Sequence, residues 1–129
     1  MTSSDQLDHA LCVLVADDDE LVRMLIVDAL TEAGFRVIEA DHGEEALCIL
    51  CSQAEGVDAL FTDINMLGSV DGLELARRAR SKLPRLAVVI GSGGGRPPPD
   101  ALPPSSRFLP KPYHVSDIPD CIRELITQT

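Results

Sequence analysis

Six side chains stand where short apolar runs end, and their chemical types belong together. Asp17, Asp18 and Asp19 follow LCVLVA, Asp63 follows VDALFT, Ser92 comes just after LAVVI, and Lys111 follows RFLP. Carboxylates gathered this closely repel, and each raises its neighbours' cost of ionisation. A hard divalent cation relieves the conflict, and Mg2+ held by one or two carboxylates plus waters fits such an oxygen set. With a hydroxyl and an ammonium alongside, the set suits phosphoryl transfer. The cation neutralises some phosphoryl oxygens while Ser92 and Lys111 hold the others. A carboxylate that the metal does not capture strongly can act as nucleophile and become an aspartyl phosphate.

These residues converge only if the runs before them lie side by side, pointing the same way. Leu11–Ala16 is short, continuous and Val-rich, the pattern of a strand buried on both faces. Glu20–Ala33 places Val22, Leu25, Ile26, Ala29, Leu30 and Ala33 at helical spacing, with Asp19 as N-cap and Gly34 as stop. Phe35–Ala40 is a second strand. Asp41 followed by Glu44 resembles a capping box for a helix running to about Gln53. Val57–Thr62 is a third strand, and Asp71 caps a helix over Gly72–Leu83 whose inward stripe is Leu75, Ala76, Ala79 and Leu83. Leu86–Ile90 and Arg107–Pro110 are the last strands. Ser116 opens a final helix with Ile118, Ile122, Leu125 and Ile126 on one face, and Pro119 is tolerated in its first turn. Five strands alternating with helices predict an open, doubly wound α/β fold with a parallel sheet. Sites in such sheets form at the carboxyl ends of the strands, where strand order reverses.

One stretch breaks the rhythm. Gly91–Ser106, GSGGGRPPPDALPPSS, holds half of the chain's glycines and prolines combined. It cannot propagate the helix expected between strands four and five. An irregular loop is predicted, with at most a single turn near Asp100–Leu102. GSGGGR lacks the lysine and hydroxyl of a nucleotide-binding phosphate loop. PPPDALPP reads as a stiff spacer.

A length of 129 residues fits one domain, read as a lead-in over 1–9 and a folded unit over 10–127. The net charge of −10 disfavours nucleic acid and anionic membranes as partners. No run approaches a membrane span and the first residues do not resemble an export signal, so a cytoplasmic location is expected. Cys48 and Cys51 form C-x-x-C inside a helical pattern and, with Cys12 and Cys121, read as small buried or half-buried hydrophobes rather than a redox or zinc pair.

Taken together, VLVADDDE, FTDINM, the downstream DGLELA, Ser92 and FLPKPY make the chain resemble a bacterial response-regulator receiver domain of two-component signalling, over about Ala10–Ile126. The resemblance implies the flavodoxin-like strand order 2-1-3-4-5 and that Asp63 is the phosphoacceptor. It also implies that Asp18, Asp63 and the Asn65 backbone carbonyl bind Mg2+ directly, with Asp17 acting through water. Lys111 then pairs with Asp63 or its phosphate, the Lys111–Pro112 bond is cis, and Ser92 and Phe108 form a switch pair. The implied partner is a sensor histidine kinase, and the output is left open among onward transfer to a histidine phosphotransfer protein, a phosphate sink and direct regulation of a kinase or effector. Output passes by protein contact, and the catalysis is limited to the domain's own phosphorylation and dephosphorylation. The oligomeric state is left open.

The chain departs from the family pattern at Leu67, where proline is usual, at a Gly68–Ser69 stretch one residue longer, and at the missing fourth helix. The first two imply a more mobile loop beside the acceptor, and the third puts the usual output face in question. Two other functions compete. A haloacid-dehalogenase-like phosphatase also uses an aspartyl phosphate, but Asp63-Ile64-Asn65-Met66-Leu67 lacks its second acid. A phosphorylation-independent scaffold of the same fold is the other.

Overall fold

The computed structural model describes residues 10–53, 56–93 and 97–127. The reading of residues 1–9 as a lead-in lies outside them, as does the Gly-rich piece at 94–96. The strands are β1 (Cys12–Ala16), β2 (Arg36–Ala40), β3 (Ala59–Asp63), β4 (Ala87–Ser92) and β5 (Arg107–Pro110). All neighbouring pairs are parallel, in the order β2-β1-β3-β4-β5, as predicted. The helices are α1 (Glu20–Glu32), α2 (Gly43–Gln53), α3 (Gly72–Lys82) and α4 (Asp117–Thr127). No helix among the described residues is long and apolar enough to cross a membrane.

Alternation along the strands divides the core into two layers. Leu14, Leu60, Val88 and Ile90 face α2 and α3 through Ala46, Leu50, Leu75, Ala76 and Ala79. Val13, Val15, Phe61 and Val89 face α1 and α4 through Ile26, Leu30, Ile118, Ile122 and Leu125. Burial on both sides is why β1, β3 and β4 read as unbroken apolar runs, whereas β2 at the sheet edge mixes exposed and buried positions.

Local signals explain the helix ends. Asp19 accepts from the N–H groups of Leu21 and Val22, and Asp71 accepts from that of Glu74. Gly34 takes the left-handed φ of +97° that stops α1. The α2 cap differs from the expected Asp41–Glu44 pair. His42 Nδ1 accepts from the Glu45 N–H, and Glu45 accepts from the Asp41 N–H. Glu44 does not receive the Asp41 N–H, although its Oε1 stays 3.4 Å from His42 Nδ1.

Three further expectations need correction. β3 begins at Ala59 and includes Asp63, and β4 continues past Ile90 through Gly91 and Ser92, because Asp63 and Ser92 still pair with Gly91 and Pro110. Cys48 and Cys51 are exposed, and only Cys12 and Cys121 are buried. On α2 the buried stripe is Ala46 and Leu50, and Cys48 lies roughly 200° around the helix from Ala46.

Between β4 and β5 the described residues hold a short 3-10 turn, Pro99–Ala101, in place of a helix. Arg77 Nη1 on α3 donates to the Ala101 carbonyl at 3.5 Å, and Arg80 Nη1 donates to that of Pro104. Ser106 Oγ donates to the Pro103 carbonyl at 2.7 Å, and Leu102 packs on the core.

Candidate functional site

The strand ends bring the predicted acidic residues together. One carboxylate oxygen from each of Asp17, Asp18 and Asp63 lies within 4.8 Å of the others. Asp17 is held below the rim. Its N–H donates to the Ala40 carbonyl at 3.2 Å, its Oδ1 accepts the Asp19 N–H at 2.9 Å, and its own carbonyl accepts Arg23 Nη1 at 2.7 Å. Arg23 in turn pairs with Glu39 at 3.0 Å. Asp18, the next residue, turns outward and accepts the Leu67 N–H on Oδ2 at 3.0 Å.

Asp63 ends β3 and is only 5% exposed. Lys111 Nζ stands 3.6 Å from Asp63 Oδ1, an ion pair too long to be a hydrogen bond. The Lys111–Pro112 bond is cis. The Lys111 N–H donates to the Ser92 carbonyl at 2.8 Å, which ties the lysine to the end of β4. Ser92 itself is buried, and Phe108 lies buried in the core layer that includes Ile90. Asn65 lies on the loop after Asp63, lining a cleft with Asp18, Met66 and Leu67.

Electrostatically this floor is under tension. Burial pushes the Asp17 carboxyl up to about 6; the Asp19 N–H opposes the shift, and the nearby Asp63 charge adds to it. Burial also pushes Asp63 above the usual carboxylate range, and the Lys111 ammonium offsets only part of that. Asp17 Oδ2 and Asp63 Oδ1 are both buried without a hydrogen-bond partner. Two such oxygens beside an outward-facing Asp18 form a hard, anionic donor set, which fits a divalent cation of the Mg2+ kind. A second cluster, Asp41, His42 and Glu45, also has its ligand atoms close together. All three are exposed, and the contacts of His42 Nδ1 and Glu45 serve the start of α2.

Sequence reasoning did not single out three residues near the pocket. Tyr113 follows the Lys-Pro pair; its buried hydroxyl has no partner, and its ring meets Phe61 edge-on at 6.1 Å between centroids. Burial raises the Tyr113 pKa, and the Asp17 and Asp63 charges raise it further. Its position directly after Lys111–Pro112 was the available signal. Gly72 is the second, because a Cβ there would collide with the Asp63 carbonyl. Arg23 is the third; nothing in its helical setting marks it as the partner of the Asp17 carbonyl.

The response regulator receiver domain family model matches residues 13–123. The chain is 36% identical over 118 residues to the response regulator receiver protein CpdR of Brucella abortus, covering 88% of this chain and 95% of that one. A response regulator receiver protein from Sinorhizobium medicae superposes with a TM-score of 0.85 at 29% identity, covering 92% and 96% of the two chains. The response regulator TrrA of Thermotoga maritima, solved in complex with Mg2+–BeF, gives 0.76 at 26% identity, covering 89% and 98%. The chain belongs to the response-regulator receiver family, and it is a phosphoacceptor signalling module of a two-component system.

Proposed function

We propose that this receiver takes a phosphoryl group from the phosphohistidine of a sensor histidine kinase onto Asp63. A carboxylate oxygen of Asp63 attacks phosphorus; the P–O bond forms as the P–N bond breaks, and the imidazole leaves with the bonding pair. Asp18, Asp63 and the Asn65 carbonyl would hold Mg2+, with Asp17 reaching it through water. The cation would supply charge neutralisation at the phosphoryl oxygens. Lys111 offsets the charge on Asp63 beforehand and on its phosphate afterwards. The Ser92 hydroxyl holds a phosphoryl oxygen, and Phe108 responds to that contact.

The observation that carries this reading is the pair of buried oxygens without a hydrogen-bond partner, Asp17 Oδ2 and Asp63 Oδ1, the second in an ion pair with Lys111. The domain catalyses only its own phosphorylation and dephosphorylation, over a unit spanning residues 10–127. It signals in the cytoplasm by contact with other proteins, a histidine phosphotransfer protein among them, and does not act on nucleic acid or membranes.

Intact-mass measurement after incubation with a small phosphodonor and Mg2+ tests the reading. The expected result is one added phosphoryl group on the wild type and none on Asp63→Asn. Addition to both would move the acceptor elsewhere, and sustained turnover of phosphomonoesters would make the protein a phosphatase instead.

A further inference from the structure

We propose that Glu44 on α2 is a positioning residue for the cation pocket, acting through the loop between β3 and α3. The proposal rests on Asp18 being a cation ligand. That loop is closed at its base, where the Ile64 N–H donates to the Gly91 carbonyl and the Gly72 N–H to that of Ile64, each at 2.9 Å. Its middle is held from outside. Glu44 Oε2 accepts both the Ser69 N–H at 2.9 Å and Ser69 Oγ at 2.5 Å. Gly68, at φ +107°, brings its backbone so near that a Cβ there would stand 3.0 Å from Glu44 Oε1. One residue earlier on α2, a Cβ on Gly43 would collide with the Val70 carbonyl. The first turn of α2 thus grips residues 68–70.

The grip reaches the pocket through the next residue back. The Leu67 N–H donates to Asp18 Oδ2, which leaves the other oxygen of Asp18 available to a cation. Asn65, whose carbonyl is a proposed ligand, belongs to the same loop. The stretch that makes this loop longer than the family pattern, Gly68–Ser69, supplies the groups that Glu44 holds. The Ser69 hydroxyl, foremost among its contacts, lowers the Glu44 carboxyl to about 2. Asp18 therefore lies at the end of a chain of contacts that starts on a helix outside the pocket.

Mg2+ alone is titrated by calorimetry into the metal-stripped full chain and into Glu44→Ala, Glu44→Gln and Ser69→Ala, with Glu45→Ala as control. Partners that orient metal ligands typically contribute about 10–100-fold to metal affinity, and an exposed contact acting at one remove sits near or below that range. Glu44→Ala is expected to raise the Mg2+ dissociation constant about three- to tenfold. Glu44→Gln should recover part of the loss, since its amide oxygen still accepts from Ser69, and Glu45→Ala should match the wild type. The Leu67 amide resonance should shift in Glu44→Ala with the metal-free melting midpoint unchanged, a pattern that general destabilisation would not give. Ser69→Ala reports on the same contact from the loop side if Glu44→Ala folds poorly. Unchanged Mg2+ affinity in Glu44→Ala and Ser69→Ala overturns the proposal alone; no binding by the wild type overturns it together with the assigned cation site.

Discussion

Two regions of the molecule handle their polar groups in opposite ways. In the connection between β4 and β5, carbonyls of Ala101, Pro103 and Pro104 all receive donors, two of them from arginines on α3. On the pocket floor, Asp17 and Asp63 bury carboxylate oxygens that receive none. An irregular segment that the sequence makes incapable of helix is stabilised by contacts, whereas the regular strand ends carry the tension. Strain of this kind is retained where it serves a function. A cation held by the proposed carboxylate ligands would relieve it.

Removing the cation's neighbour should produce the largest effect. Lys111→Ala is expected to slow phosphoryl uptake from a small donor about 100-fold, the usual cost of deleting one donor aimed at developing charge. Rapid-quench mass measurements would read it, and a rate near that of the wild type would detach Lys111 from the chemistry.

Asp17→Asn sharpens the contrast from the stability side. Burial displaces the Asp17 carboxyl from 3.8 to about 6, and after solvent screening its ionised form costs the metal-free native state on the order of 1–3 kcal/mol near neutral pH. Asn can still accept the Asp19 N–H but carries no charge to desolvate. Urea unfolding should therefore show the metal-free variant more stable than the wild type by about 1–3 kcal/mol, with Mg2+ binding weakened.

Breaking the other side of the comparison should do the reverse. Arg80→Ala is expected to destabilise by about 1–2 kcal/mol, since a charged donor to the Pro104 carbonyl is lost, and to leave Mg2+ affinity as it was. Altered Mg2+ affinity in that variant would couple the two regions. Smallest of all, Leu67→Ala should change stability by no more than about 0.5 kcal/mol. Its side chain is 80% exposed and its N–H, the part that meets Asp18, is kept.

The sequence made the pocket legible because each of its charged residues adjoins an apolar strand. Asp17, Asp18, Asp63 and Lys111 are marked by where LCVLVA, VDALFT and RFLP end, and parallel strand order brings those ends together. The irregular connection was equally visible, since triple Gly and repeated Pro exclude a helix. Contacts between distant surface charges were not. Glu44 stood out only as half of a capping box, and its partner Ser69 lies 25 residues away on a loop. Arg77 and Arg80 look like the solvated face of α3, yet they reach 24 residues along the chain to the carbonyls of the connection. In the loop expected to be more mobile, the Leu67 and Ser69 N–H groups donate to Asp18 and Glu44, contacts hidden from the sequence for the same reason. The exposed Cys48 shows the converse error, because apolar neighbours in sequence do not share a helix face.

The central claim is that the pocket is destabilised by its own ionised carboxylates until a cation joins them, and its sign fixes a pH dependence. Asp17 titrates higher in the folded state than at its ordinary 3.8, so the protonated native state is favoured. The associated stability is fully present below pH 3.8 and is lost as the pH rises through about 6. The direct measurement is urea unfolding of the wild type with and without Mg2+, at about pH 5 and about pH 7.5. Stabilisation by Mg2+ that is clearly larger at the higher pH is the predicted result; equal stabilisation at both, or none at either, would contradict it.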